Sequence, residues 1–378
     1  MDKRIIGRTG VEASRLGFGA MRLPQKDGGI DFELSCKMID LALEAGVNYF
    51  DTGYNYHSGM SEVFLGKALA KHRRESYVLT TKLSLLTLMR GENPTRELAE
   101  QMFDEQLERL GVDYFDFYLI HNISDDTRRA LIHELDLVGM LMERKRRGQI
   151  RFTGFSSHDK AENMGKCLDL ADWDVAQIQL NYFDWEYQNA RLTCQTLKER
   201  GVALIAMEPV RGGRLTTLPA QVESALRAGN PNESNAAWAL RWVANETDAA
   251  IVLSGMSNME QLEENIKTFS PVQPFSDNER KAVSNAANLL LNAPIVACTA
   301  CEYCLPCPVG VKIPQNFDIY NEYIRFENAQ TFKTQYSKLA GDGSSGAEAC
   351  IACGKCISDC PQSVNIPEEL KKIALAAR

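Results

Sequence analysis

Several features that mark membrane, secreted or nucleic-acid-binding proteins are missing from this sequence of 378 residues. No run of apolar residues approaches the roughly 18 that a membrane-spanning helix needs. The first ten residues, MDKRIIGRTG, lack the apolar stretch of a secretory signal. Positive charge is in deficit, with 42 Lys and Arg against 50 Asp and Glu, which argues against a polyanionic partner. We therefore expect a cytoplasmic protein with neither a membrane nor a nucleic acid as its partner.

Cysteine is scarce in the first three quarters of the chain and concentrated in the last. Of the 11 cysteines, Cys36, Cys167 and Cys194 are scattered, and eight lie between 298 and 360. A protein without a secretory signal is expected to keep its thiols reduced, which argues against a disulfide framework. We expect the scattered cysteines to pack as small apolar side chains and the clustered ones to bind metal.

One glycine pattern is also missing, the G-x-G-x-x-G turn of open dinucleotide-binding sheets, since the first predicted strand continues as GFGAMRLP. Residues 1–270 instead alternate apolar runs with segments of helical period, giving eight strand–helix units. The apolar runs are continuous, as is typical of parallel strands covered on both faces. This pattern predicts an α/β protein with a closed (β/α)₈ TIM barrel, with an open doubly wound sheet as the alternative. The predicted strands lie within 15–21, 47–52, 77–82, 114–121, 151–157, 175–182, 202–207 and 249–255.

The barrel pattern is bordered by other segments. Residues 4–11 predict a short hairpin that plugs the lower end of the barrel. SPVQPF at 270–275 marks a linker, and a helix is expected over 276–292. The predicted domains are therefore 1–270, a linker and helix over 271–297, and a separate domain over 298–378. GDGSSG at 341–346 predicts a flexible loop inside that last domain.

The last domain contains an internal repeat. CTACEYCLPCPVGVKIP begins at 298, and CIACGKCISDCPQSVNIP begins at 350, 52 residues later. Each copy has three cysteines at x₂ spacing, a fourth cysteine followed by proline, and then V-x-I-P. The second copy matches the C-x₂-C-x₂-C-x₃-C-P run of bacterial two-cluster ferredoxins. Pro314 and Pro367 suit the first turn of a helix, where a missing N–H costs nothing.

This spacing predicts two [4Fe–4S] clusters, each of which takes three ligands from one repeat and its fourth ligand from the other. Three thiolates at i, i+3 and i+6 can wrap one face of a cubane, while the proline directs the fourth thiolate toward the other cluster. Structural zinc is the alternative, because paired C-x₂-C knuckles also form Cys₄ sites. The first copy departs from the pattern, with two residues rather than three before its fourth cysteine. The expected ligand sets are Cys298, Cys301, Cys304 and Cys360 for one cluster, and Cys350, Cys353, Cys356 and Cys307 for the other.

Four polar residues stand at or just after successive strand ends of the predicted barrel. Asp51, Lys82 and His121 end three consecutive strands, and Tyr56 follows the first of them. The carboxyl ends of barrel strands carry the active site. A phenol beside an ammonium group suits a general acid, because a positive charge lowers the phenol pKa below its usual ~10. We expect Asp51 to hold Lys82, and His121 to orient a carbonyl oxygen.

On these residues the sequence resembles the aldo-keto reductase family. The matching stretches are FDTGYNYHSGMSEVFLGKAL, TTK, YLIH, GFSSH, QIQLNY and LSGMSNMEQLEENI, within residues 3–270. With the cysteine-rich region added, it is similar to a bacterial branch that carries a C-terminal, mostly helical ferredoxin-like iron–sulfur domain. The resemblance implies reduction of an aldehyde or ketone by NAD(P)H, with Tyr56 as proton donor. Asp51, Lys82 and His121 would complete the catalytic tetrad.

The resemblance also implies a nicotinamide site that departs in part from the family pattern. Ser156, Ser157 and Gln177 stand at the carboxamide positions, where the family has Ser, Asn and Gln. Met207 stands where an aromatic residue usually stacks on the nicotinamide, and a thioether can also pack on a ring. RGGR, with Gly212 at its centre, predicts either a pyrophosphate clamp or a glycine-rich connection with solvated arginines.

The nucleotide end of this site is expected at the helix that starts near residue 259, whose N-terminus can receive phosphate. Gly255 and Gln261 replace the Lys and Arg that familiar members use for a 2′-phosphate, whereas Glu264 and Asn265 match the adenine-side positions. The sequence therefore leaves NADP, NAD and a flavin as alternatives.

Three classes of function are compatible with this sequence. The first is an NAD(P)H-dependent carbonyl reductase with structural or regulatory clusters. The second is an electron-transfer oxidoreductase whose clusters relay electrons between a barrel-bound cofactor and an external redox carrier protein. A flavin would suit that role, because nicotinamide moves two electrons and a cluster moves one. The third is a binding protein that keeps the barrel as a scaffold, and the intact tetrad argues against it.

Overall fold

The computed structural model describes residues 1–91, 93–341 and 346–378. Residues 342–345 of the predicted flexible loop lie outside the described residues. Eight parallel strands follow one another around a closed barrel, and the last pairs with the first. The predicted (β/α)₈ barrel is thus confirmed. Its strands are β1 Leu16–Gly19, β2 Tyr49–Asp51, β3 Val78–Ser84, β4 Phe115–His121, β5 Ile150–Ser157, β6 Val175–Gln179, β7 Ala203–Met207 and β8 Ile251–Ser254.

The register of these strands brings their carboxyl ends to one level. Asp51 at the end of β2 pairs with Thr80 in β3, and Ser84 at the end of β3 pairs with His121 at the end of β4. Gln177 in β6 pairs with Ser156 in β5. Side chains that the sequence separates by many tens of residues therefore meet at one mouth.

Helices follow the strands of the barrel. Between β4 and β5 the chain forms two helices rather than the single helix of an ideal strand–helix unit. Asp136 between them takes a left-handed backbone (φ 46°), and its side chain accepts from the N–H of Gly139 as an N-cap. In chain order, the helices up to residue 268 are α1 Phe32–Glu44, α2 Met60–Leu69, α3 Leu85–Arg90, α4 Arg96–Leu110, α5 Asp126–Glu134, α6 Leu137–Arg146, α7 Met164–Leu168, α8 Asp184–Tyr187, α9 Ala190–Glu199, α10 Ala220–Arg227, α11 Asn235–Glu246 and α12 Met259–Thr268.

The predicted N-terminal hairpin is present. Lys3–Ile5 pairs antiparallel with Glu12–Ser14. Ile6, Val11 and Ala13 are buried with barrel residues in one apolar cluster, so the hairpin packs onto the interior core of the barrel. Burial of these side chains removes apolar surface from water and fixes the hairpin there.

The chain divides into two compact units. One comprises Met1–Gly212 and Ala236–Asp277, and the other comprises Gly213–Asn235 and Asn278–Arg378. This division differs from the continuous 1–270 of the sequence pattern, because the segment between β7 and α11 belongs to the C-terminal unit. Within that unit Arg214 forms an ion pair of 3.1 Å with Glu322, far along the chain.

The C-terminal unit is built from helices around a small apolar core. Phe317, Phe332, Leu370 and Ile373 are buried in it, and six of the clustered cysteines pack against it. Pro314 and Pro367 lie in the first turns of two of its helices, as the sequence predicts. Besides α10, its helices are α13 Asp277–Leu291, α14 Ile313–Phe326, α15 Ala329–Ala340, α16 Lys355–Ser358 and α17 Ile366–Ala376. Within the described residues, no helix has the length and apolarity to cross a membrane.

Candidate functional site

A buried lysine lies at the centre of the barrel mouth. Lys82 is 1% exposed, and its Nζ donates to Asp51 Oδ1 at 2.5 Å and to the carbonyl of Thr52 at 2.6 Å. Both acceptors come from the end of β2, the neighbouring strand. A buried ammonium group needs such partners, because leaving it unpaired would be very costly.

Tyr56 and His121 complete this group. Lys82 Nζ lies 4.9 Å from the centre of the Tyr56 ring, and the His121 ring stands edge-on to that ring with centroids 5.9 Å apart. The backbone after Tyr56 is left-handed at His57 (φ 50°) and Ser58 (φ 57°), which turns the chain between β2 and α2. The structure thus brings together all four residues that the sequence singled out.

The pKa of Tyr56 departs from the sequence-based expectation. Burial raises the pKa of the phenol, and the nearby Lys82 ammonium only partly offsets this, so the net direction is upward. The expectation of a lowered pKa is wrong because it counted the neighbouring charge but not the loss of solvent. Tyr56 is therefore held as a neutral hydroxyl, which is the form that can donate a proton.

The other two titratable groups are held in definite charge states. Burial lowers the pKa of Lys82, but its interactions with the Asp51 carboxylate and the Tyr56 hydroxyl outweigh burial, so the net direction is upward and the ammonium form is kept. Burial, with the positive charges of Lys82, His158 and Arg128, lowers the pKa of His121 to about 3. His121 is accordingly a neutral imidazole at physiological pH, with one ring N–H to donate.

A second polar network lies behind Lys82. Glu62 is fully buried at the start of α2, and its carboxylate accepts from Thr81 Oγ1 at 2.6 Å, from Gln106 Nε2 and from Arg109 Nη1 at 3.2 Å. Gln106 Nε2 also donates to the carbonyl of Lys82 at 3.1 Å. This network fixes the end of β3 to the helices α2 and α4, which carry Glu62 and Gln106.

Two of the three predicted carboxamide residues have unsatisfied polar atoms. Ser156 Oγ and Gln177 Oε1 are buried and have no hydrogen-bond partner among the described residues. Gln177 Nε2 points to Asp51 Oδ2 at 3.5 Å, which leaves its oxygen free as an acceptor. A primary carboxamide offers N–H groups to that oxygen and a carbonyl to the serine hydroxyl, so these residues fit a nicotinamide.

The third carboxamide position is occupied differently. Ser157 Oγ donates to the carbonyl of Ile123 at 2.5 Å and accepts from the N–H of Asp159 at 3.0 Å. Its hydroxyl therefore serves the connection after β5. Met207, at the predicted stacking position, ends β7 and is partly exposed.

At the nucleotide end, several predicted residues already have protein partners. Gln261 Oε1 accepts from the N–H of Ser257 at 2.8 Å, and Asn265 Nδ2 donates to Ser254 Oγ at 2.9 Å. Glu264 is partly exposed on α12. The side chain of Arg22 packs against Gly255, where an added Cβ would come within 2.8 Å of Arg22 Cγ. The role of these positions in binding a nucleotide stays a prediction.

The RGGR segment is held within the protein at both of its arginines. Arg211 is buried, its Nε donates to both carboxylate oxygens of Asp184 at 3.2 Å, and its guanidinium lies 4.9 Å from the centre of the Phe183 ring. Arg214 is paired with Glu322 in the C-terminal unit. The alternative of solvated arginines is wrong for Arg211. Gly212 between them takes a left-handed backbone with φ 63°.

Two contributors to the site were missed at the sequence level. The carbonyl of Thr52 gives no side-chain signal, yet it accepts a hydrogen bond from Lys82. Glu208 follows β7 directly, and its charge acts on Tyr56. Its place after a barrel strand is the signal that could have identified it.

The two cysteine repeats have matching backbones. Ala300 and Glu302 in the first copy are left-handed, as are Ala352 and Gly354 at the same positions of the second. Such residues turn successive N–H groups toward one side, which makes an anion-binding concavity of the kind found around iron–sulfur clusters.

Two cavities lie among these cysteines, and each is lined by the first three cysteines of one repeat and the fourth cysteine of the other. The first cavity is lined by Cys298, Cys301, Cys304 and Cys360. The second cavity is lined by Cys350, Cys353, Cys356 and Cys307, and Cys304 also borders it.

The spread of these thiols suits a cluster better than a single ion. Over residues 1–91, 93–341 and 346–378, no group of three or more His, Cys, Asp or Glu is arranged to hold one metal ion. Four thiolates of a zinc site all lie about 2.3 Å from the same atom. Those of a cubane bind four different iron atoms and stand farther apart, so the residues present fit [4Fe–4S] clusters.

Comparison with known families agrees with both parts of the chain. The model of the Aldo/keto reductase family matches residues 15–288, and that of the 4Fe-4S dicluster domain matches residues 297–365. The first match covers well over half of the chain, and the second covers all eight clustered cysteines.

Curated relatives are named as oxidoreductases. The chain is 27% identical to the NADH-specific methylglyoxal reductase of Escherichia coli over 310 residues, which cover 70% of this chain and 93% of that protein. It is also 27% identical to the L-galactose dehydrogenase of Arabidopsis thaliana over 290 residues, which cover 72% and 89% respectively.

Solved structures show the same likeness. An aldo-keto reductase from Bacillus halodurans, in its holo form, has a TM-score of 0.62 and 26% identity, and the match covers 76% of this chain and 96% of that one. This agrees with the barrel, the tetrad geometry and the family match. The chain is therefore an NAD(P)H-dependent oxidoreductase that belongs to the aldo/keto reductase family and carries a C-terminal 4Fe–4S domain.

Proposed function

We propose that this enzyme reduces an aldehyde or ketone with NAD(P)H and that Tyr56 donates the proton. The observation that carries this proposal is the buried contact of Lys82 with Asp51 and Thr52, beside the Tyr56 ring. A neutral phenol, a fixed ammonium group and a neutral imidazole meet there, which is a sufficient set for protonating a carbonyl oxygen.

Each residue has a separate task in this reaction. A reduced nicotinamide held by Ser156 and Gln177 would supply the hydride for the carbonyl carbon. Tyr56 gives its phenolic proton to the carbonyl oxygen, so that an alcohol is formed. Lys82 stabilises the phenolate that remains, and Asp51 holds Lys82 in place. His121, being neutral, donates its ring N–H to the same oxygen and orients the carbonyl.

The cofactor is proposed to lie with its carboxamide on Ser156 and Gln177, whose buried oxygens lack partners. Neither Gly255 nor Gln261 supplies a positive charge for a 2′-phosphate. This supports use of NADH and argues against a strict requirement for NADPH.

The C-terminal domain is proposed to hold two [4Fe–4S] clusters with the exchanged ligand sets of the two cavities. The lining of each cavity by four cysteines supports this partition, with Cys360 and Cys307 each reaching the cavity of the other repeat. Each cluster would pass one electron at a time.

The test compares two substitutions in anaerobically purified enzyme. Tyr56→Phe should lower kcat for NAD(P)H-dependent aldehyde reduction by roughly 10²- to 10⁴-fold, because it removes the proton donor. Tyr54→Phe is the matched control, since the Tyr54 hydroxyl donates to the exposed Glu105. Cys353→Ser should leave much of the activity intact. Full activity in Tyr56→Phe would overturn the proposal.

One observation supports a second candidate function, the relay of electrons. Ser157, at a predicted carboxamide position, has its hydroxyl committed to Ile123 and Asp159. A nicotinamide carboxamide would therefore lack one of its three expected partners. This supports the alternative of a different barrel cofactor, such as a flavin, with the clusters relaying electrons to an external redox carrier protein. Equal loss of activity in Tyr56→Phe and Cys353→Ser, together with flavin released by acid, would support the relay over the simple reductase.

A further inference from the structure

Asn55 stands directly before the proposed proton donor, and the reaction set out above gives it no task. It lies half-buried in the turn between β2 and α2. The main chain of this turn holds Tyr56 close to the end of β2, because the Tyr56 N–H donates to the carbonyl of Gly53 at 3.0 Å. Gly53 also lets the phenol ring lie against the main chain, since an added Cβ would come within 3.3 Å of the ring. The backbone therefore fixes Tyr56 relative to β2, the strand that carries Asp51.

The Asn55 side chain joins the same turn to β3, the strand that carries Lys82. Asn55 Nδ2 donates to Ser84 Oγ at 2.7 Å, and Asn55 Oδ1 accepts from Thr87 Oγ1 at 2.7 Å. Ser84 is buried at the end of β3, and Thr87 lies in the first turn of α3. Ser84 Oγ also accepts from the N–H of Thr87 at 3.2 Å, as the N-cap of α3. The three residues thus close one ring of hydrogen bonds between the β2–α2 turn and the end of β3.

The far side of this ring stands on a fixed frame. β3 pairs with β2 on one side and with β4 on the other. The carbonyl of Lys82, two residues before Ser84, accepts from Gln106 Nε2 at 3.1 Å. Asn, Ser and Thr are short side chains with little rotamer freedom, so the bonds between them leave little play. The ring therefore refers the position of Tyr56 to the strand of Lys82.

The distance between the phenol and Lys82 affects how readily the proton is released. Lys82 Nζ lies 4.9 Å from the centre of the Tyr56 ring, and its charge stabilises the phenolate that proton transfer leaves behind. Such a charge interaction weakens with distance and is strongest where solvent is excluded. Burial already opposes ionisation of this phenol. A displacement of the ring would therefore slow proton transfer.

We propose that Asn55 is a positioning residue, which sets the distance between the Tyr56 hydroxyl and Lys82 by clamping the turn before α2 to the end of β3. It acts on the reaction through Tyr56 and takes no proton itself. This inference rests on the proposed carbonyl reduction with Tyr56 as the proton donor.

The variants Asn55→Ala and Thr87→Val open the clamp from either side. They are measured in anaerobically purified enzyme with NAD(P)H and the best substrate among propanal, benzaldehyde and glyceraldehyde. Each should lower kcat by roughly tenfold, because a displacement of about 1 Å at a reacting group can cost up to about 10²-fold. The dissociation constant of the nicotinamide cofactor, followed by its fluorescence, should not change. The double variant should be no slower than the slower single variant, because both substitutions break the same linkage.

Two readouts separate positioning from a loss of structure. The solvent deuterium isotope effect on kcat should rise in Asn55→Ala, because proton transfer from a displaced phenol becomes slow relative to the other steps. Partial unfolding would lower the active fraction and leave this isotope effect unchanged. Asn55→Asp should restore most of kcat, because its carboxylate oxygens can accept from the hydroxyls of both Ser84 and Thr87.

Asn48→Ala is the matched control. Asn48 precedes β2 at its amino end, and its side chain accepts from the N–H of Ser14 at 2.7 Å and donates to the carbonyl of Glu12 at 3.4 Å. Its loss should lower stability but leave kcat and the isotope effect unchanged.

Three results would each overturn the inference and leave the reductase proposal intact: full kcat in Asn55→Ala, an unchanged isotope effect, or no rescue by Asn55→Asp. Wild-type enzyme that reduces none of the three aldehydes overturns both proposals.

Discussion

The charge states of single side chains in the mouth are decided by burial as much as by neighbouring charges. Tyr56 shows this, because loss of solvent outweighs the effect of Lys82 on its pKa. The sequence allowed the four residues to be chosen, since each stands at or after the end of a strand. It did not allow the direction of the Tyr56 shift to be predicted, because burial depends on everything that packs around the phenol.

The neutral state of His121 has a consequence for stability. Its pKa is lowered to about 3 in the fold, whereas an unfolded histidine titrates near ~6.5. At pH values between these two pKa values, the unfolded chain binds a proton at this histidine and the folded chain does not. The contribution of His121 to the free energy of unfolding therefore falls as the pH falls. Wild-type protein should lose free energy of unfolding when the pH is lowered from 7 to 5.5, and we expect this loss to be smaller by roughly 1 kcal/mol in His121→Asn.

Urea unfolding at the two pH values measures this difference. His133→Asn on α5 is the control, because His133 is exposed. Parallel pH dependence in wild type and His121→Asn would show that the imidazole is not held neutral by the fold.

At the scale of elements, the first turn of α2 fastens the two strands that carry Asp51 and Lys82. Ser61 Oγ lies 2.9 Å from Thr52 Oγ1 at the end of β2 and donates to the carbonyl of Ala20 at 2.9 Å. Glu62, the next residue, accepts from Thr81 in β3. One helix start therefore sets the spacing of both strand ends.

The substitution Glu62→Ala tests this fastening. It leaves Arg109, Gln106 and Thr81 without their buried acceptor, and we expect a loss of roughly 3–5 kcal/mol in the free energy of unfolding. Glu105→Ala is the matched control: Glu105 pairs with the same Arg109 but is exposed, so its loss should cost about 1 kcal/mol or less.

Chemical denaturation of the two variants measures both values. Equal effects would mean that the Glu62 network adds nothing beyond a surface ion pair.

On the scale of the whole molecule, the chain combines a barrel and a domain with an internal repeat. The left-handed residues of the two copies coincide at corresponding positions, as do the first three cysteines of each copy. The cavities are nevertheless shared between the copies, so neither repeat supplies all four ligands of one cavity. The repeat should therefore function only as a pair.

Metal analysis of anaerobically purified protein tests this arrangement. Two clusters give about eight iron and eight sulfide per chain. Cys307→Ser and Cys360→Ser should each lose about four iron, from the cavity of the other repeat in each case, as distinguished by electron paramagnetic resonance.

Cys194→Ser, in the barrel, is the control and should keep the full iron content, because Cys194 lies far along the chain from the repeats. A colourless protein that contains zinc would contradict the assignment.

The sequence by itself determined the barrel, the four residues of its mouth and the cysteine repeat. These features depend on local period and spacing, such as continuous apolar strands and C-x₂-C-x₂-C runs, which are written along the chain. Tertiary structure alone decided the direction of the Tyr56 pKa, the partners of Asn55, Ser157 and Arg211, and the assignment of Gly213–Asn235 to the C-terminal unit. Each of these depends on contacts between residues that are distant in sequence, and on the solvent that those contacts exclude.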